Sequence, residues 1–500
     1  MSRADNDRVF ADWVDRESVA ATMVPIIDSL YRRRNVVTTI HGRRLVSRSV
    51  NEILKLHRFA RHIDGVEMSP HETLPILHAL AALDLGPCVV DVAVCNAGYR
   101  AQDTLGISDY LAVELAESVG AGADVAPPTD VVLYGFGRIG RLVARILLAR
   151  AGGAYGIRLR AVVVRTSGPG DLVKRASLLR RDSVHGPFDG TITVDTAANT
   201  ITANGTVITF ISADDPASID YEAHGITDAV LVDSTGARRD RAGLSEHLRA
   251  PGIRRVLLTA PAKGDVPNIV HGVNDAMIEH EPVIAAASCT TNAVTPVLVA
   301  LDAAFGVEHG HVETVHSFTN DQNLTDNHHR GDRRGRSAAL NLVIAETGAA
   351  RAVAKAYPPL EGRLTGNAIR VPTPDVSLAV LTLQLRSPVD KATMNGFLRD
   401  VSLRSALRRQ VDYVESPEIV STDMLGARKA GVVDGLATIA DGSERVVVYV
   451  WYDNEYGYSR QVVRCLESMT GQRLPSLPAA PERGVLLSVP ARPRELVETE

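Results

Sequence analysis

The segment "DVVLYGFGRIGRLVARILLAR" (130–150) constrains the fold of this chain more than any other. It joins a short apolar run, typical of a buried strand, to an amphipathic helix through Gly135-x-Gly137-x-x-Gly140. The first glycine permits a tight turn, the second lets backbone N–H groups approach a pyrophosphate, and the third allows close helix–strand packing. The apolar run "IRLRAVVVRT" then completes a βαβ unit. The sequence therefore predicts an α/β, doubly wound dinucleotide-binding domain; the alternative is a turn that merely needs glycines.

The end of the second strand bears on the choice of nicotinamide cofactor. NAD-binding sites commonly place an acidic residue there to hold the ribose hydroxyls, but this chain has Arg165, Thr166 and Ser167. A guanidinium with two hydroxyls suits a 2′-phosphate, so we expect NADP, or use of both cofactors, over strict NAD. The alternative is an exposed arginine with no ligand. The cofactor-binding residues expected from this unit are Gly135, Phe136, Gly137, Arg138, Ile139, Gly140, Arg165 and Thr166.

Composition narrows the class of protein. A chain of 500 residues with 45% hydrophobic residues is expected to form two to four domains around ordinary cores. The formal net charge of −5 favours neither nucleic acid nor a membrane surface as a partner, and leaves a small molecule as the default. The four cysteines, Cys88, Cys95, Cys289 and Cys465, lack metal or disulfide spacing, so we expect no metal site and a cytoplasmic protein.

Residues 1–126 are predicted to be mostly helical. Apolar residues from Val19 to Leu30 share one helical face, and "SVNE" (49–52) and "SPHE" (69–72) match the capping-box pattern. Between the first two helices "NVVTTIHGRRLV" predicts a short hairpin, and "GAGADVAPP" (120–128) predicts a linker. The segment contains a basic cluster but holds 13 Lys/Arg against 17 Asp/Glu. We therefore interpret it as a packing module of unknown role in preference to a nucleic-acid binder.

A single thiol stands out in "AASCTTNAVTP" (286–296). Cys289 comes at the predicted start of a helix, where backbone N–H groups stabilise a thiolate and can bind an oxyanion. A cysteine beside apolar residues is also a common core residue, and this alternative stays open on local pattern alone. His316, on a strand-like segment 27 residues later, is a candidate base for the thiol.

The order of several motifs identifies a family. "YGFGRIGR", "DSVHGPFDG", "ASCTTNAVTP", "TVHSFTNDQ", "ETGAARAV", "GRLTGNAIRVPTPDVS" and "WYDNEYGYS" resemble, in this order, the phosphorylating glyceraldehyde-3-phosphate dehydrogenases. The resemblance covers about 130–470 and is closest to a long bacterial form with an extra N-terminal region. It implies a Rossmann domain over 127–288, completed by a C-terminal helix at 454–470, and an α+β catalytic domain over 289–453. The proline-rich segment 471–500 is expected to be loosely ordered.

The resemblance also implies a role for individual residues. Cys289 would be the nucleophile that adds to the aldehyde, His316 its base, and Asn454 the residue that orients the nicotinamide carboxamide; Asn292 lies in the matching loop. The substrate phosphate would bind Thr319, Asp321 and Arg370. The attacking inorganic phosphate would bind Ser288, Thr290, Thr347 and Gly348, with Arg334 nearby. Hydroxyls, backbone N–H groups and arginines are what two anion sites need.

The implied reaction is the reversible oxidation of glyceraldehyde 3-phosphate through a Cys289 thioester, with glycolytic and gluconeogenic directions and a homotetrameric enzyme. Departures from the family pattern leave alternatives open. Ala293 replaces a second cysteine, Asn327 and His328 replace an apolar pair and favour NADP, and Glu346 stands beside the expected phosphate site. Oxidation of erythrose 4-phosphate is one alternative. A non-catalytic regulatory protein of the same fold is another.

Overall fold

The computed structural model describes residues 2–121, 127–149, 156–165, 168–472 and 474–478. Three predicted features lie wholly or partly outside these ranges. They are the linker, which lacks residues 122–126, the pair Thr166 and Ser167 after the second predicted strand, and the tail beyond residue 478. The described residues form two compact units. The first contains residues up to 128 with 156–157 and 472–478, and the second contains 129–149 and 158–471.

The helices have the following bounds: α1 Arg3–Arg34, α2 Val50–Phe59, α3 Arg61–Asp64, α4 Pro70–Ala82, α5 Val92–Arg100, α6 Ile107–Glu114, α7 Arg138–Leu148, α8 Asp171–Arg180, α9 Arg241–Ser245, α10 Cys289–Phe305, α11 Ala349–Ala356, α12 Lys391–Arg404 and α13 Tyr456–Met469. Within the described ranges, no helix is both long and apolar enough to span a bilayer.

The strands have the following bounds: β1 Val36–Ile40, β2 Arg43–Arg44, β3 Cys88–Asp91, β4 Thr129–Tyr134, β5 Ile157–Val164, β6 Arg181–Asp182, β7 Gly186–Pro187, β8 Ile192–Asp195, β9 Thr200–Ala203, β10 Thr206–Ser212, β11 Ala229–Asp233, β12 Ile253–Leu258, β13 Val283–Ala285, β14 Val307–Ser317, β15 Val343–Glu346, β16 Leu364–Val371, β17 Ser377–Leu385, β18 Val411–Val414, β19 Gly431–Ala440, β20 Arg445–Tyr452 and β21 Ser476–Leu477.

The first unit packs helices on a small sheet of order β2-β1-β3-β21. The predicted hairpin is confirmed as β1 and β2, and the predicted apolar face of α1 is buried in a shared core. The helix start at Ser49 has its full capping box. At Ser69 only the side-chain cap forms, because Glu72 instead binds Arg100 and Asn96.

The described start of the tail differs from its prediction. Residues 471–500 were expected to be loosely ordered, yet Ser476 and Leu477 form β21, which pairs in parallel with β3. The physical reason is burial: Leu477 is 2% exposed and belongs to the core of the first unit, so its apolar side chain fixes this short strand.

The second unit contains two large sheets. The first has the order β13-β12-β11-β4-β5-β10-β9-β8, with parallel pairs β12–β13, β11–β12, β4–β11 and β5–β10. The two strands of the predicted βαβ unit are β4 and β5. The apolar segments "DAVLVDSTG" and "RRVLLTAP" form β11 and β12, and burial of all four strands explains their apolar sequences. The glycine-rich turn follows β4 and opens α7.

The second sheet of this unit is mixed, with the order β15-β16-β14-β17-β20-β19-β18. In β17 and β20 buried residues alternate with less buried ones, which matches strands that have one face on a core. Helix α10 packs against this sheet as well as against α11 and α13. The candidate residues for chemistry come from the start of α10 and the end of β14.

Candidate active site

Helix α10 begins at Cys289, as the sequence predicts. Ser288 is the N-cap residue, and its Oγ accepts a hydrogen bond of 3.0 Å from the N–H of Thr291. The apolar residues of this helix are buried, and so is most of the rest of its surface. A helix enclosed on all sides gives the thiol a fixed position, which a surface helix would not do.

The turn before Cys289 is held in an unusual conformation. Ala287 has a φ of +52°, which costs a residue with a Cβ about 1–2 kcal/mol. The Asn292 amide donates to the carbonyls of Ala286 (2.7 Å) and Ser288 (2.9 Å), and the Tyr458 hydroxyl donates to the carbonyl of Ala287 (3.0 Å). Asn292 was expected in a loop of the site. It lies instead in the first turn of α10, where it acts as a clamp.

The candidate base faces the thiol from the end of β14. His316 Nε2 lies 3.6 Å from Cys289 Sγ, and the Nδ1 atom lies 2.7 Å from the carbonyl of Ser317. The Arg370 guanidinium is also close, with Nη1 2.9 Å from Nδ1 and 3.2 Å from the same carbonyl. In the tautomer that carries the ring proton on Nδ1, this proton is donated to the Ser317 carbonyl. Nε2 is then an acceptor aimed at the sulfur.

Electrostatics keep both partners neutral at rest. Burial, followed by the neighbouring charge of Arg370, lowers the pKa of His316 to about 3. Burial also raises the pKa of Cys289, although Arg370 and the N–H of Thr290 oppose this. The expectation that the helix start lowers the pKa of this thiol is therefore wrong, because desolvation outweighs the helix dipole. The sulfur keeps its proton until His316 can accept it.

Four side chains expected around phosphate meet beside His316. Thr319 donates its hydroxyl proton to Asp321, and Asp321 forms an ion pair of 2.7 Å with Arg334. Desolvation opposes ionisation of Asp321, but the Thr319 hydroxyl, Arg370 and Arg334 hold its pKa below the usual value. The Nε atom of Arg370 is buried without a hydrogen-bond partner among the described residues. This unused donor suits an anionic ligand.

The residues expected to bind the attacking phosphate differ in their hydrogen-bond partners. The Ser288 hydroxyl is 2.7 Å from that of Thr291, and the Thr290 hydroxyl is 3.0 Å from that of Tyr452. Thr347 accepts a bond of 3.2 Å from an N–H at the start of α11, and Gly348 is exposed beside it. All four flank the starts of α10 and α11, where backbone N–H groups favour an anion.

The position of Glu346 on its strand shows that its carboxylate points away from the expected phosphate site. It lies on β15, where Val343 and Ala345 are buried and Ile344 and Glu346 are exposed. Because side chains alternate across a strand, Glu346 projects from the face opposite to Ala345.

The glycine-rich turn has the shape that a dinucleotide needs. Gly135 has a φ of +100°, and a Cβ on Gly140 would lie 2.7 Å from the Gly135 carbonyl oxygen and from Ser234 Oγ. A Cβ on Gly137 would meet nothing within 4 Å, and no side chain caps α7 at this residue. The open space and the uncapped N–H groups therefore fit a pyrophosphate at the start of α7.

The other residues of this turn differ in what they offer. Phe136 is buried, and Ile139 is half-buried. The Arg138 guanidinium is committed to ion pairs with Asp182 and Glu455. Only its backbone N–H therefore remains for a cofactor phosphate.

The residues expected at the two ends of the cofactor are far apart in sequence. Arg165 is exposed just after β5, and its predicted neighbour Thr166 lies outside the described residues. Asn454 is buried just before α13, and its Oδ1 accepts hydrogen bonds of 2.9 Å from the hydroxyls of Ser317 and Ser377. The amide nitrogen of Asn454 is left as a donor, which suits a carboxamide oxygen.

Sequence reasoning missed the residues that support the site from behind. Tyr452 holds Thr290, Tyr458 holds the turn before Cys289, and Ser317 and Ser377 fix Asn454. All four lie inside the motifs quoted above, but residue type and spacing gave no sign of these supporting contacts. Buried hydroxyls need partners, but their partners come from distant segments that only the folded sheet brings together.

The chain was compared with known proteins. Residues 129–241 match the family model described as glyceraldehyde 3-phosphate dehydrogenase, NAD binding domain, and residues 288–454 match the C-terminal domain. A glyceraldehyde-3-phosphate dehydrogenase-like protein of Pseudomonas aeruginosa is 58% identical over 461 residues, which cover 91% of this chain and 100% of the relative. Glyceraldehyde-3-phosphate dehydrogenase 1 of Bacillus subtilis is 38% identical, with coverage of 67% and 96%. The chloroplastic glyceraldehyde-3-phosphate dehydrogenase A of Zea mays is 39% identical, with coverage of 69% and 84%.

These matches confirm the predicted fold class, a Rossmann dinucleotide-binding domain with an α+β catalytic domain after a mostly helical N-terminal region. The Pseudomonas relative covers most of that extra region too, whereas the other two match about two thirds of the chain. The chain belongs to the glyceraldehyde-3-phosphate dehydrogenase family of nicotinamide-dependent oxidoreductases.

Proposed function

We propose that this protein is a phosphorylating glyceraldehyde-3-phosphate dehydrogenase. It converts glyceraldehyde 3-phosphate and inorganic phosphate to 1,3-bisphosphoglycerate, with reduction of NAD(P). One observation carries the proposal: the Cys289 thiol lies 3.6 Å from Nε2 of His316, with the Arg370 cation on the other side of the imidazole. A nucleophile, a base and an anion-binding group next to each other suit an aldehyde that carries a phosphate.

In the first half of the reaction, Cys289 adds to the aldehyde carbon while its proton passes through His316 to the aldehyde oxygen, which gives a thiohemiacetal and leaves His316 neutral again. Bound nicotinamide would supply the hydride acceptor that converts this adduct to a thioester. His316 accepts the hydroxyl proton of the adduct, and the unused Nε donor of Arg370 binds the substrate phosphate together with Thr319 and Asp321. Asn454 orients the carboxamide through its free amide nitrogen.

In the second half, inorganic phosphate attacks the thioester carbon and releases the sulfur of Cys289, which regains a proton from His316. We assign this phosphate to the starts of α10 and α11, with Ser288, Thr290, Thr347 and Gly348 around it and Arg334 beside it. The hydroxyls of Ser288 and Thr290 then exchange their present partners for phosphate oxygens. The reverse reaction is the gluconeogenic direction.

We further propose NADP as the favoured cofactor, with NAD as the alternative. Arg165 at the end of β5 supports this, because its position offers a cation where NAD sites commonly hold a carboxylate. We assign cofactor binding to 127–288 with the helix at 454–470, and substrate binding to 289–453. We also propose a homotetramer, which is typical of the family, and a cytoplasmic location.

Erythrose 4-phosphate is a second candidate substrate, since the same thiol and base would oxidise it. The decisive assay uses the purified full chain with each of the two aldehydes, NAD or NADP, and either with or without inorganic phosphate, followed at 340 nm. We expect the highest rate with glyceraldehyde 3-phosphate, NADP and phosphate. Phosphate-independent turnover, or a preference for erythrose 4-phosphate, would refute the proposed reaction.

A matched pair of variants separates catalysis from a regulatory role. Cys289→Ala should abolish activity in every condition, whereas Cys465→Ala, at a buried cysteine outside the candidate site, should keep it. If the wild-type protein shows no turnover with any combination but still binds the cofactor, the non-catalytic alternative is correct.

A further inference from the structure

Two buried carboxyl groups lie directly behind Asn454. Asp375 is 3% exposed and precedes β17, and Asp453 is 1% exposed and precedes Asn454 itself. Their carboxyl oxygens lie within 4.8 Å of each other and of a nitrogen of His185. Two acids this close in an apolar interior cannot both be charged at low cost, so the pair is expected to share a proton.

The hydrogen bonds show which acid can carry that proton. Asp453 accepts four backbone N–H bonds, from Gly426, Glu455, Tyr456 and Gly457, at 2.6–3.3 Å. These bonds favour its charged form and occupy most of its lone pairs. Asp375 accepts one bond through Oδ1, from the N–H of the next residue (2.8 Å). Its Oδ2 has no hydrogen-bond partner among the described residues.

The surrounding charges act on Asp375 from two directions. Asp453 and Glu455 face it from the start of α13, and His185 Nε2 lies 3.3 Å from its Oδ2. Glu455 is in turn paired with Arg138, and its Oε2 lies 3.2 Å from the same His185 nitrogen. Burial and the charge of Asp453 raise the pKa of Asp375 to about 9. A divalent cation is a poorer occupant, since Asp453 has few free lone pairs to offer it.

The acid pair connects to Asn454 by two short paths. Asp453 is its neighbour in sequence, and Asp375 is two residues before Ser377, whose hydroxyl donates to Asn454 Oδ1 at 2.9 Å. The residue between, Val376, has a φ of +67°, a strained conformation for a β-branched side chain. Another contact must stabilise this backbone conformation of Val376, and a hydrogen bond from the Asp375 carboxyl group to the Asp453 carboxylate would do so.

We propose that Asp375 is a positioning residue that works in its protonated form. Its O–H donates to the Asp453 carboxylate, which ties the start of β17 to the start of α13 and keeps Asn454 in place. This inference deepens the proposed function, because it rests on Asn454 as the group that orients the nicotinamide carboxamide. Loss of this proton would leave the negative charges of Asp375 and Asp453 next to each other and weaken cofactor binding.

The first test measures cofactor affinity, without turnover, by calorimetry between pH 6.5 and 10. In the wild-type full chain the Kd for the cofactor should rise as pH passes about 9, by up to tenfold per pH unit. Asp375→Asn keeps a donor that cannot ionise, so its affinity should stay flat across this range. Asp375→Ala has no donor and should bind at least tenfold more weakly at every pH.

The matched control is Asp441→Asn, at an exposed residue between β19 and β20, which should follow the wild-type curve. Three outcomes would overturn the proposal: a flat wild-type curve, equal weakness of Asp375→Asn and Asp375→Ala, or a wild-type affinity that responds to chelator or to added Mg²⁺. The last would instead assign the pair to a cation.

The second test does not need the proposed function. The folded chain keeps the Asp375 proton that the unfolded chain releases above about pH 4, so folding should bind about one extra proton between pH 5 and 8. The urea midpoint of the wild type should therefore fall more steeply with rising pH than that of Asp375→Asn. If the protein binds no nicotinamide cofactor, the proposed function fails. The pH dependence of the urea midpoint would still show whether Asp375 is protonated in the folded chain. Equal slopes would refute the inference about Asp375 alone.

Discussion

Replacement of His316 by Gln tests the proton transfer at the centre of the site. The amide keeps a similar volume but cannot accept the thiol proton, so Cys289 must ionise into solvent by itself. A cysteine with the ordinary pKa of about 8.5 is only about 3% ionised at pH 7. Burial raises the pKa of Cys289, so the thiolate fraction is smaller still.

The expected loss follows from these values. Ionisation alone removes at least about 30-fold at pH 7, and loss of the general base over the whole reaction removes about 10²–10⁴-fold, or roughly 3–5 kcal/mol of transition-state stabilisation. The penalty should shrink as pH rises, by up to tenfold per unit, because hydroxide increasingly replaces the base. The assay is kcat/KM for glyceraldehyde 3-phosphate between pH 6 and 10.

The matched control is His311→Gln on the same strand. His311 is bonded to Thr365 and Asn367, and strand alternation separates it from the buried face that carries His316. Its activity should stay within twofold of the wild type. A loss below tenfold for His316→Gln, or a loss that does not change with pH, would refute the reasoning. So would an alkylation rate of wild-type Cys289 by iodoacetamide that reaches its plateau below pH 7.

Three further predictions concern single side chains. Arg370→Met should raise the KM for glyceraldehyde 3-phosphate by about 10–100-fold, through loss of charge-assisted bonds, and leave that for unphosphorylated glyceraldehyde within threefold; equal changes would exclude a phosphate contact. Asn292→Ala should lower the free energy of unfolding by about 2–3 kcal/mol, because two carbonyl groups lose their hydrogen-bond donor. Urea denaturation measures this change, and a value below about 1 kcal/mol would contradict the prediction. Glu346→Gln should keep the KM for inorganic phosphate within twofold, since this side chain is exposed; a tenfold lower KM would place the carboxylate in the phosphate site.

The local parts of the fold could be predicted because each depends on a few consecutive residues. The glycine spacing after β4, the cap at Ser288 and the alternation in β17 and β20 all express backbone geometry that the sequence states directly. Strand β21 could not be predicted in this way. Its two residues are fixed by the burial of Leu477 against a strand almost 400 positions earlier.

The candidate site also has features that could be predicted from the sequence and features that could not. Cys289, His316 and Arg370 could be selected by motif, but their pKa values depend on burial, and burial is a property of the assembled chain. For this reason the helix start correctly located the thiol and gave the wrong direction for its pKa. Likewise Asn292 was found by motif, although its work as a clamp on Ala287 is visible only from the turn's φ.

The sequence by itself determined the family, the cofactor-binding turn and the identity of the candidate nucleophile and base, because these depend on residue type, order and short spacing. The tertiary structure decided what surrounds them: the neutral resting state of Cys289 and His316, the committed side chain of Arg138 and the buried pair Asp375 and Asp453. Electrostatic energies depend on distance and desolvation, and residues hundreds of positions apart acquire both only when the chain folds.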